Sequence, residues 1–249
     1  RLANVAPKHI YAYVMYLQES GKAPSTIKTD LAAIRFFHDL MDRPRYQLPG
    51  NEELSLQRRT LKGVDRTWST PEFNRMLAYA LEAGREDFIT LLYLGRYAAL
   101  RIHECFRIDT ATASRAIREQ AITIKGKGGL VRTVPLHPIL IPRLQYHLER
   151  TPRGKKLFVP DGVDTHQAIK ELQAFIYIHR PYAQDPDSTR PMTFHGLRHL
   201  CVTEWYLQRI NAGASPYDAR KECARLLGHG RDDVTTIYLA SAKGDARHD

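Results

Sequence analysis

The sequence predicts a mainly α-helical protein with a small antiparallel β-sheet, divided into two domains. Three observations predict it. Apolar residues recur at helical spacing through most of the 249 residues. The stretch "AITIKGKGGLVRTVPL" instead alternates apolar and polar residues on either side of a glycine-rich turn. The segment Arg43 to Trp68 breaks both patterns, being polar, charged and interrupted by Pro49 and Gly50.

The first domain is expected over residues 1–62, a helical unit with its connector. In "APKHIYAYVMYLQESG", Ile10, Tyr13, Val14 and Leu17 share one helix face, and Gly21 ends the helix. "APSTIKTDLAAIRFFHDLM" makes the second helix, with Ser25 as its N-cap beside Pro24 and with Ile27, Leu31, Ile34 and Phe37 as its apolar stripe. Lys28 and Arg35 point away from that stripe, which suits either a solvated face or contact with phosphate. The connector carries a basic cluster at Arg58, Arg59 and Lys62.

The second domain is expected over residues 63–249. Ser69 and Glu72 have capping-box spacing, and Pro71 suits a first helical turn. "DFITLLYLGRYAALRIHECFRI" reads as a long buried helix that breaks near Gly95 or Ala99 and carries Arg101 inside it. The β-hairpin follows. Ile122 and Ile124 alternate with Thr123 and Lys125, Gly126, Gly128 and Gly129 make the turn, and residues 131–136 return. Lys125, Lys127 and Arg132 give it a basic tip. Helical patterns resume at 139–148, 166–179, 197–211 and 216–227.

The formal charge is +10, from 37 Lys and Arg against 27 Asp and Glu. A balance this basic favours a polyanionic partner, nucleic acid first. Three cysteines, an odd number without a CxxC pair, argue against a disulfide framework or a zinc knuckle and fit a reducing cytosol. No stretch approaches the roughly 20 apolar residues that span a bilayer, and no signal peptide opens the chain. It begins at Arg1 and reads as a piece of a longer protein.

Chemistry concentrates in three places. In "HGLRH", His195 and His199 stand four apart, yet Gly196 occupies the place where a zinc protease needs its glutamate. A core-histidine patch and a phosphate site formed by His195 and Arg198 at a helix N-terminus remain as readings. In "LRIHE", Arg101 is costly in apolar surroundings unless it is paired or has a task, and Glu104 is spaced to hold it. In "LLGHGRDDVTTIY", Gly228 and Gly230 break the helix, so that His229 and Tyr238 can face one cleft.

The ordered set Arg101, Lys127, His195-x-x-Arg198, His229 and Tyr238 resembles that of the tyrosine recombinase, or phage integrase, family. "LRIHE" looks like its first arginine box, "GKGGLVRTVPL" its lysine hairpin, "HGLRH" its second box and "LLGHGRDDVTTIY" its His-to-Tyr segment. "APSTIKTDLAAIRFF" is similar to the family's N-terminal core-binding domain, with its SAM-like helical fold. The resemblance spans roughly Val5 to Ala240.

The resemblance implies site-specific cutting and rejoining of duplex DNA through a 3′-phosphotyrosyl intermediate, with neither metal nor ATP and no other cofactor. Tyr238 is then the nucleophile and Lys127 the general acid, with Lys125 as its competitor. Arg101 and Arg198 clamp the phosphate oxygens, His195 assists as acid/base or hydrogen-bonding group, and His229 hydrogen-bonds the phosphate. Glu104 orients Arg101. Lys28, Arg35, Arg58, Arg59, Lys125 and Arg132 are expected on DNA. Replacing Arg198 by alanine is expected to slow cleavage by orders of magnitude with little change in stability.

The implied partners are double-stranded DNA carrying a specific recombination site, a homo-tetramer on that DNA and an accessory DNA-bending or directionality factor, with no membrane. The implied setting is cytoplasmic and nucleoid-associated, in a bacterium, archaeon or mobile element. In the family the segment after the tyrosine commonly packs on a neighbouring subunit; here it is only "LASAKGDARHD". An arm-binding domain could precede the chain. The competing readings are a catalytically silent DNA-binding regulator of the same fold, a metal hydrolase built on His195 and His199, and a relaxing enzyme of the topoisomerase IB type.

Overall fold

The computed structural model of the protein describes residues 2–56, 65–126, 129 and 131–228. The chain divides into two compact units, Arg1–Leu61 and Lys62–Asp249.

The first unit contains a short 3-10 turn, Leu2–Asn4, and two helices, α1 (Pro7–Glu19) and α2 (Pro24–Asp39). Its core is Ile10, Val14 and Leu17 from α1 with Ile27 and Leu31 from α2, closed by Leu54 from the following loop. The expected stripe of α2 needs a correction at its end. Phe37 is 56% exposed, and His38 at 1% takes the inward place. Eleven steps of about 100° bring His38 to within about 20° of Ile27, while Phe37 falls about 80° to the side. The cap also differs. Ala23 stands at the N-cap, and α2 opens at Pro24, whose fixed φ suits the first helical position. Ser25 lies inside the first turn, where its carbonyl accepts the Thr29 hydroxyl at 2.9 Å.

Arg35 is committed locally. Its Nε donates to the Pro49 carbonyl at 2.8 Å and its Nη1 to Asn51 Oδ1 at 2.9 Å, which pins the loop to α2. Lys28 is half-buried on the same helix. Arg58, Arg59 and Lys62 lie outside the described residues. The expected connector is too long at both ends. Leu54 belongs to the first core, and Trp68, 1% exposed, belongs to the second.

The second unit is built around α4 (Glu86–Ala98), which packs against α3 (Thr70–Glu82), α7 (Leu140–Arg150) and α9 (Phe194–Asn211). α3 opens with the expected capping box. The Ser69 hydroxyl accepts from the Glu72 N–H at 3.2 Å, and Glu72 Oε2 accepts from the Ser69 N–H at 2.7 Å. Gly95 lets α9 approach α4 closely, since a Cβ there would lie 3.0 Å from Phe194 Cζ and 3.1 Å from Leu197 Cδ1.

The break falls at Ala99, which takes the left-handed conformation with φ 50° and ψ 33°. Arg101 is therefore not inside a helix. It is the N-cap of the short helix α5 (Ile102–Cys105). The sequence reading also missed α6 (Thr110–Glu119), whose inner face is mostly alanine, although Asp109 caps it by accepting from the Thr112 N–H at 2.7 Å. The hairpin forms as expected. β1 (Ala121–Lys125) pairs antiparallel with β2 (Val131–Pro135) in the register Ile122 to Val134 and Ile124 to Arg132. Two further helices, α8 (Thr165–Ala183) and α10 (Pro216–Leu227), belong to the described part of the unit. Among the described residues no helix is long and apolar enough to cross a membrane.

Candidate phosphate-binding site

The break between α4 and α5 makes the first half of the site. The extended backbone of Arg101 turns its N–H toward Glu104, whose Oε2 accepts it at 2.7 Å, while Oε1 accepts from Arg101 Nη1 at 3.0 Å. The expected pairing of these two residues is present, and a third joins it. Arg132 of β2 grips the same carboxylate with both arms, Nη1 to Oε1 at 2.9 Å and Nη2 to Oε2 at 2.7 Å, and its Nε donates to the Leu226 carbonyl at 3.0 Å. Burial by itself would raise the Glu104 pKa; the hydrogen bonds from Arg132 and the Arg101 backbone, with the charges of Arg132 and Arg198, lower it to about 2.

Arg132 was expected to face DNA from the hairpin tip. It turns inward and is 7% exposed. The pleat decides this: exposed and buried residues alternate along β2, so Arg132 shares the inner face with Val134 while Val131 and Thr133 face out. Lys125 is exposed at the end of β1. Lys127 lies outside the described residues, as do His229 and Tyr238.

The second half of the site is the first turns of α9. Thr193 is its N-cap, and the Thr193 carbonyl accepts the Trp68 indole N–H at 2.8 Å. Gly196 is required by packing. A Cβ there would lie 2.1 Å from the Arg66 carbonyl oxygen and 2.5 Å from Trp68 Cδ1. The entering segment at Arg66 and Trp68 thus lies directly against the helix that carries His195.

His195 and Arg198 were read as sharing one helix face. They remain electrostatic neighbours, but His195 is exposed whereas Arg198 is wholly enclosed. Arg198 Nη1 donates to the Ala99 carbonyl and Nη2 to the Leu227 carbonyl at 2.6 Å. Its Nη1 also stands 4.0 Å from Glu104 Oε2. The left-handed turn at Ala99 and the last turn of α10, which ends at Gly228 with φ 64°, supply these two carbonyls.

Partial enclosure of the His195 ring, then the charges of Arg198, Arg66 and Arg101, hold its pKa down to about 4. His199, 2% exposed, is held at about 3 by burial first and then by His195. The two rings stand 5.1 Å apart and nearly perpendicular. Among the described residues no group of three or more His, Cys, Asp or Glu side chains is arranged to hold a metal ion.

Arg101 and His195 open on one cleft of about 380 Å³, walled by Ile176, Tyr177, Arg180 and Phe194. Besides Arg101 at the cleft, two further guanidinium groups, those of Arg132 and Arg198, and one carboxylate, that of Glu104, lie behind it. The surplus is positive, and the imidazole beside it is neutral at physiological pH. Such a site suits a singly charged anion with several acceptor oxygens, as in a phosphodiester. Sequence reasoning placed the break near Gly95 or Ala99, and missed the roles of Arg132 and Trp68 and the left-handed turn of Ala99. The phase of Arg132 with Val134 in "VRTVP" is a signal that could have found the first. Ala99 offers no local signal for a left-handed turn.

No family model matches the chain. It is 25% identical over 237 residues to the tyrosine recombinase XerC of Chlamydia caviae, an alignment covering 91% of this chain and 70% of that protein. Its fold matches the Tn1549 transposon integrase solved with transposon right end DNA, at a TM-score of 0.65, 16% identity and coverage of 99% of this chain and 86% of that one. It also matches a lambda integrase dimer bound to a COC′ core site, at a TM-score of 0.64, 17% identity and coverage of 100% and 67%.

Proposed function

We infer from this chain, which belongs to the tyrosine recombinase family, a site-specific recombinase that cuts and rejoins duplex DNA. The observation that carries the assignment to this site is the joint opening of Arg101 and His195 on one cleft, with Glu104 and Arg198 beneath them.

In the proposed reaction the Tyr238 hydroxyl gives its proton to His195 as its oxygen attacks a backbone phosphorus. A P–O bond forms to Tyr238 as the bond to the 5′-oxygen breaks. Lys127 gives that oxygen its proton, and a free 5′-hydroxyl leaves. Rejoining is the reverse, with the 5′-hydroxyl of another strand attacking the phosphotyrosyl bond. A tyrosine of ordinary pKa, about 10, is a weak nucleophile at neutral pH, so charge developing on the phosphate must be stabilised. Arg101 contacts that phosphate at the cleft. Arg198 adds its charge from the low-dielectric interior, where a charge acts over longer range than in water. His195, neutral near pH 7, serves as a hydrogen-bonding group and proton acceptor beside the phosphate, and His229 donates a further hydrogen bond to it. The covalent bond conserves the energy of the broken phosphodiester, so the scheme calls for neither ATP nor metal.

The wider assembly follows the same reading. The first unit and the second grip duplex DNA together at a specific site, Lys125 contacts its backbone, and four copies exchange strands with an accessory DNA-bending or directionality factor. Most contacts are then to phosphate, and binding weakens steeply with salt.

The test is a denaturing gel of protein incubated with nicked site-bearing duplexes or supercoiled plasmid in EDTA, with Tyr238→Phe alongside. A covalent adduct in the wild-type lane alone supports the assignment. An adduct in both lanes overturns Tyr238 as nucleophile. Salt-sensitive binding with no adduct in either lane favours the silent regulator.

A further inference from the structure

Arg132 uses its whole guanidinium inside the protein. Two nitrogens fork onto both oxygens of Glu104, at 2.9 and 2.7 Å, and the third donates to the Leu226 carbonyl at 3.0 Å. Arginine alone among side chains can make this planar three-way contact; a lysine keeps the charge and loses the fork. The carboxylate so held is the one that receives both the backbone N–H and the Nη1 of Arg101. Glu104 is itself entirely buried, so its orientation is set by these donors and not by water. At the other end, Arg132 and Arg198 take successive carbonyls, Leu226 and Leu227, of the last turn of α10. Those carbonyls have no partner within their own helix and carry the negative end of its dipole, where two cations bind well.

We propose that Arg132 is a positioning residue for the strand-cleavage reaction. It acts through Glu104 to aim the Arg101 guanidinium into the cleft, and it binds the end of α10 to the same carboxylate. Arg132 touches neither DNA nor the reacting atoms. The inference rests on the recombinase reading for its link to activity, and its geometric half can be tested without DNA.

The variant of choice is Arg132→Lys, with Glu104→Gln/Arg132→Met as a second form that removes both charges and so avoids an uncompensated buried carboxylate. Expected for Arg132→Lys are a cooperative melt, DNA affinity within about twofold of wild type and adduct formation slowed roughly 100-fold, the loss typical of a shift of about 1 Å in a reacting group. A purely structural role would move the melt and leave the cleavage rate of the folded fraction unchanged. The slowing should largely vanish when Arg132→Lys is added to Arg101→Lys, because both changes act on the same guanidinium. Wild-type cleavage rates in folded Arg132→Lys, or full multiplication of the two effects, overturn the proposal. If Arg132→Lys does not fold, the double variant is compared with Glu104→Gln alone: equal slowing is expected because Arg132 acts through Glu104, and a further loss in the double variant overturns the proposal.

A crystal structure of whichever variant folds decides the geometry independently. Arg101 Nη1 should leave Glu104 Oε1, and the guanidinium its place at the cleft. Unchanged placement of Arg101 refutes the proposal even if cleavage is slow. Failure of the wild type itself to form an adduct speaks against the recombinase reading, and the crystal structure still decides whether Arg132 positions Arg101.

Discussion

The Trp68 indole N–H donates to the Thr193 carbonyl at 2.8 Å, across 125 positions of sequence. The bond ties the segment that leads into α3 to the N-cap of α9, two residues before His195. The same segment leaves no room for a side chain at Gly196, where a Cβ would lie 2.1 Å from the Arg66 carbonyl oxygen. Gly196→Ala is therefore expected to cost about 3 kcal/mol or more, at the upper end of overpacking penalties, because main chain must move. Trp68→Phe keeps most of the apolar bulk and loses the hydrogen bond, a cost of about 1 kcal/mol. Chemical denaturation of both variants checks the order. An alanine as stable as the phenylalanine variant contradicts the contact at Arg66.

Arg198 behaves differently from the sequence-based expectation. It is fully enclosed and holds the Ala99 and Leu227 carbonyls. Arg198→Ala should cost about 3 kcal/mol or more, since it leaves buried carbonyls and Glu104 with a lost partner. A thermal melt of the variant checks this. A melting temperature unchanged from wild type restores the original expectation of a small stability effect.

Stability should rise with pH across the mildly acidic range. His195 and His199 have folded pKa values of about 4 and about 3, below the ordinary 6.5. Between those values and 6.5 the unfolded chain binds protons that the folded chain refuses, so stability falls as pH falls through this window. Glu104 works in a lower window. Its folded pKa of about 2 lies below the ordinary 4.5, so its contribution is whole above 4.5 and is lost as pH drops toward 2. Denaturation midpoints from pH 8 to pH 4 should flatten in His199→Gln. An equal slope in variant and wild type rules out His199 as a main source.

The thiols should be inert in the folded protein. Cys105, Cys201 and Cys223 are all buried, and burial first of all pushes the pKa of Cys201 and of Cys223 up to about 12 and that of Cys105 well above the ordinary value. A thiolate is the reactive form. Iodoacetamide at pH 8 should label none of them until denaturant is added. Rapid native labelling of Cys223 contradicts the packing of α10 against α9.

Much of the architecture was legible in local pattern. The stripe of α1, most of that of α2, the Ser69 capping box and the existence of the hairpin follow from periodicity and cap chemistry, which act over a few residues. The order of the arginine, lysine, histidine and tyrosine boxes was legible too, since it is a property of the string. α6 escaped because alanines at Ala113 and Ala116 make a weak apolar signal, although they suffice against β1 and α7.

The sequence by itself determined which faces are apolar, where most helices start, and that a basic chain carries two arginine boxes flanking a lysine hairpin. Only the tertiary structure decided what the charged groups meet. Arg132 joins Glu104 from 28 positions away, Arg198 reaches the Ala99 carbonyl from 99 positions away, and Arg101 stands at a helix break made by a left-handed alanine. Periodicity records burial, and a buried charge must find its partner in three dimensions, because an unpaired one costs more than a local preference can offset.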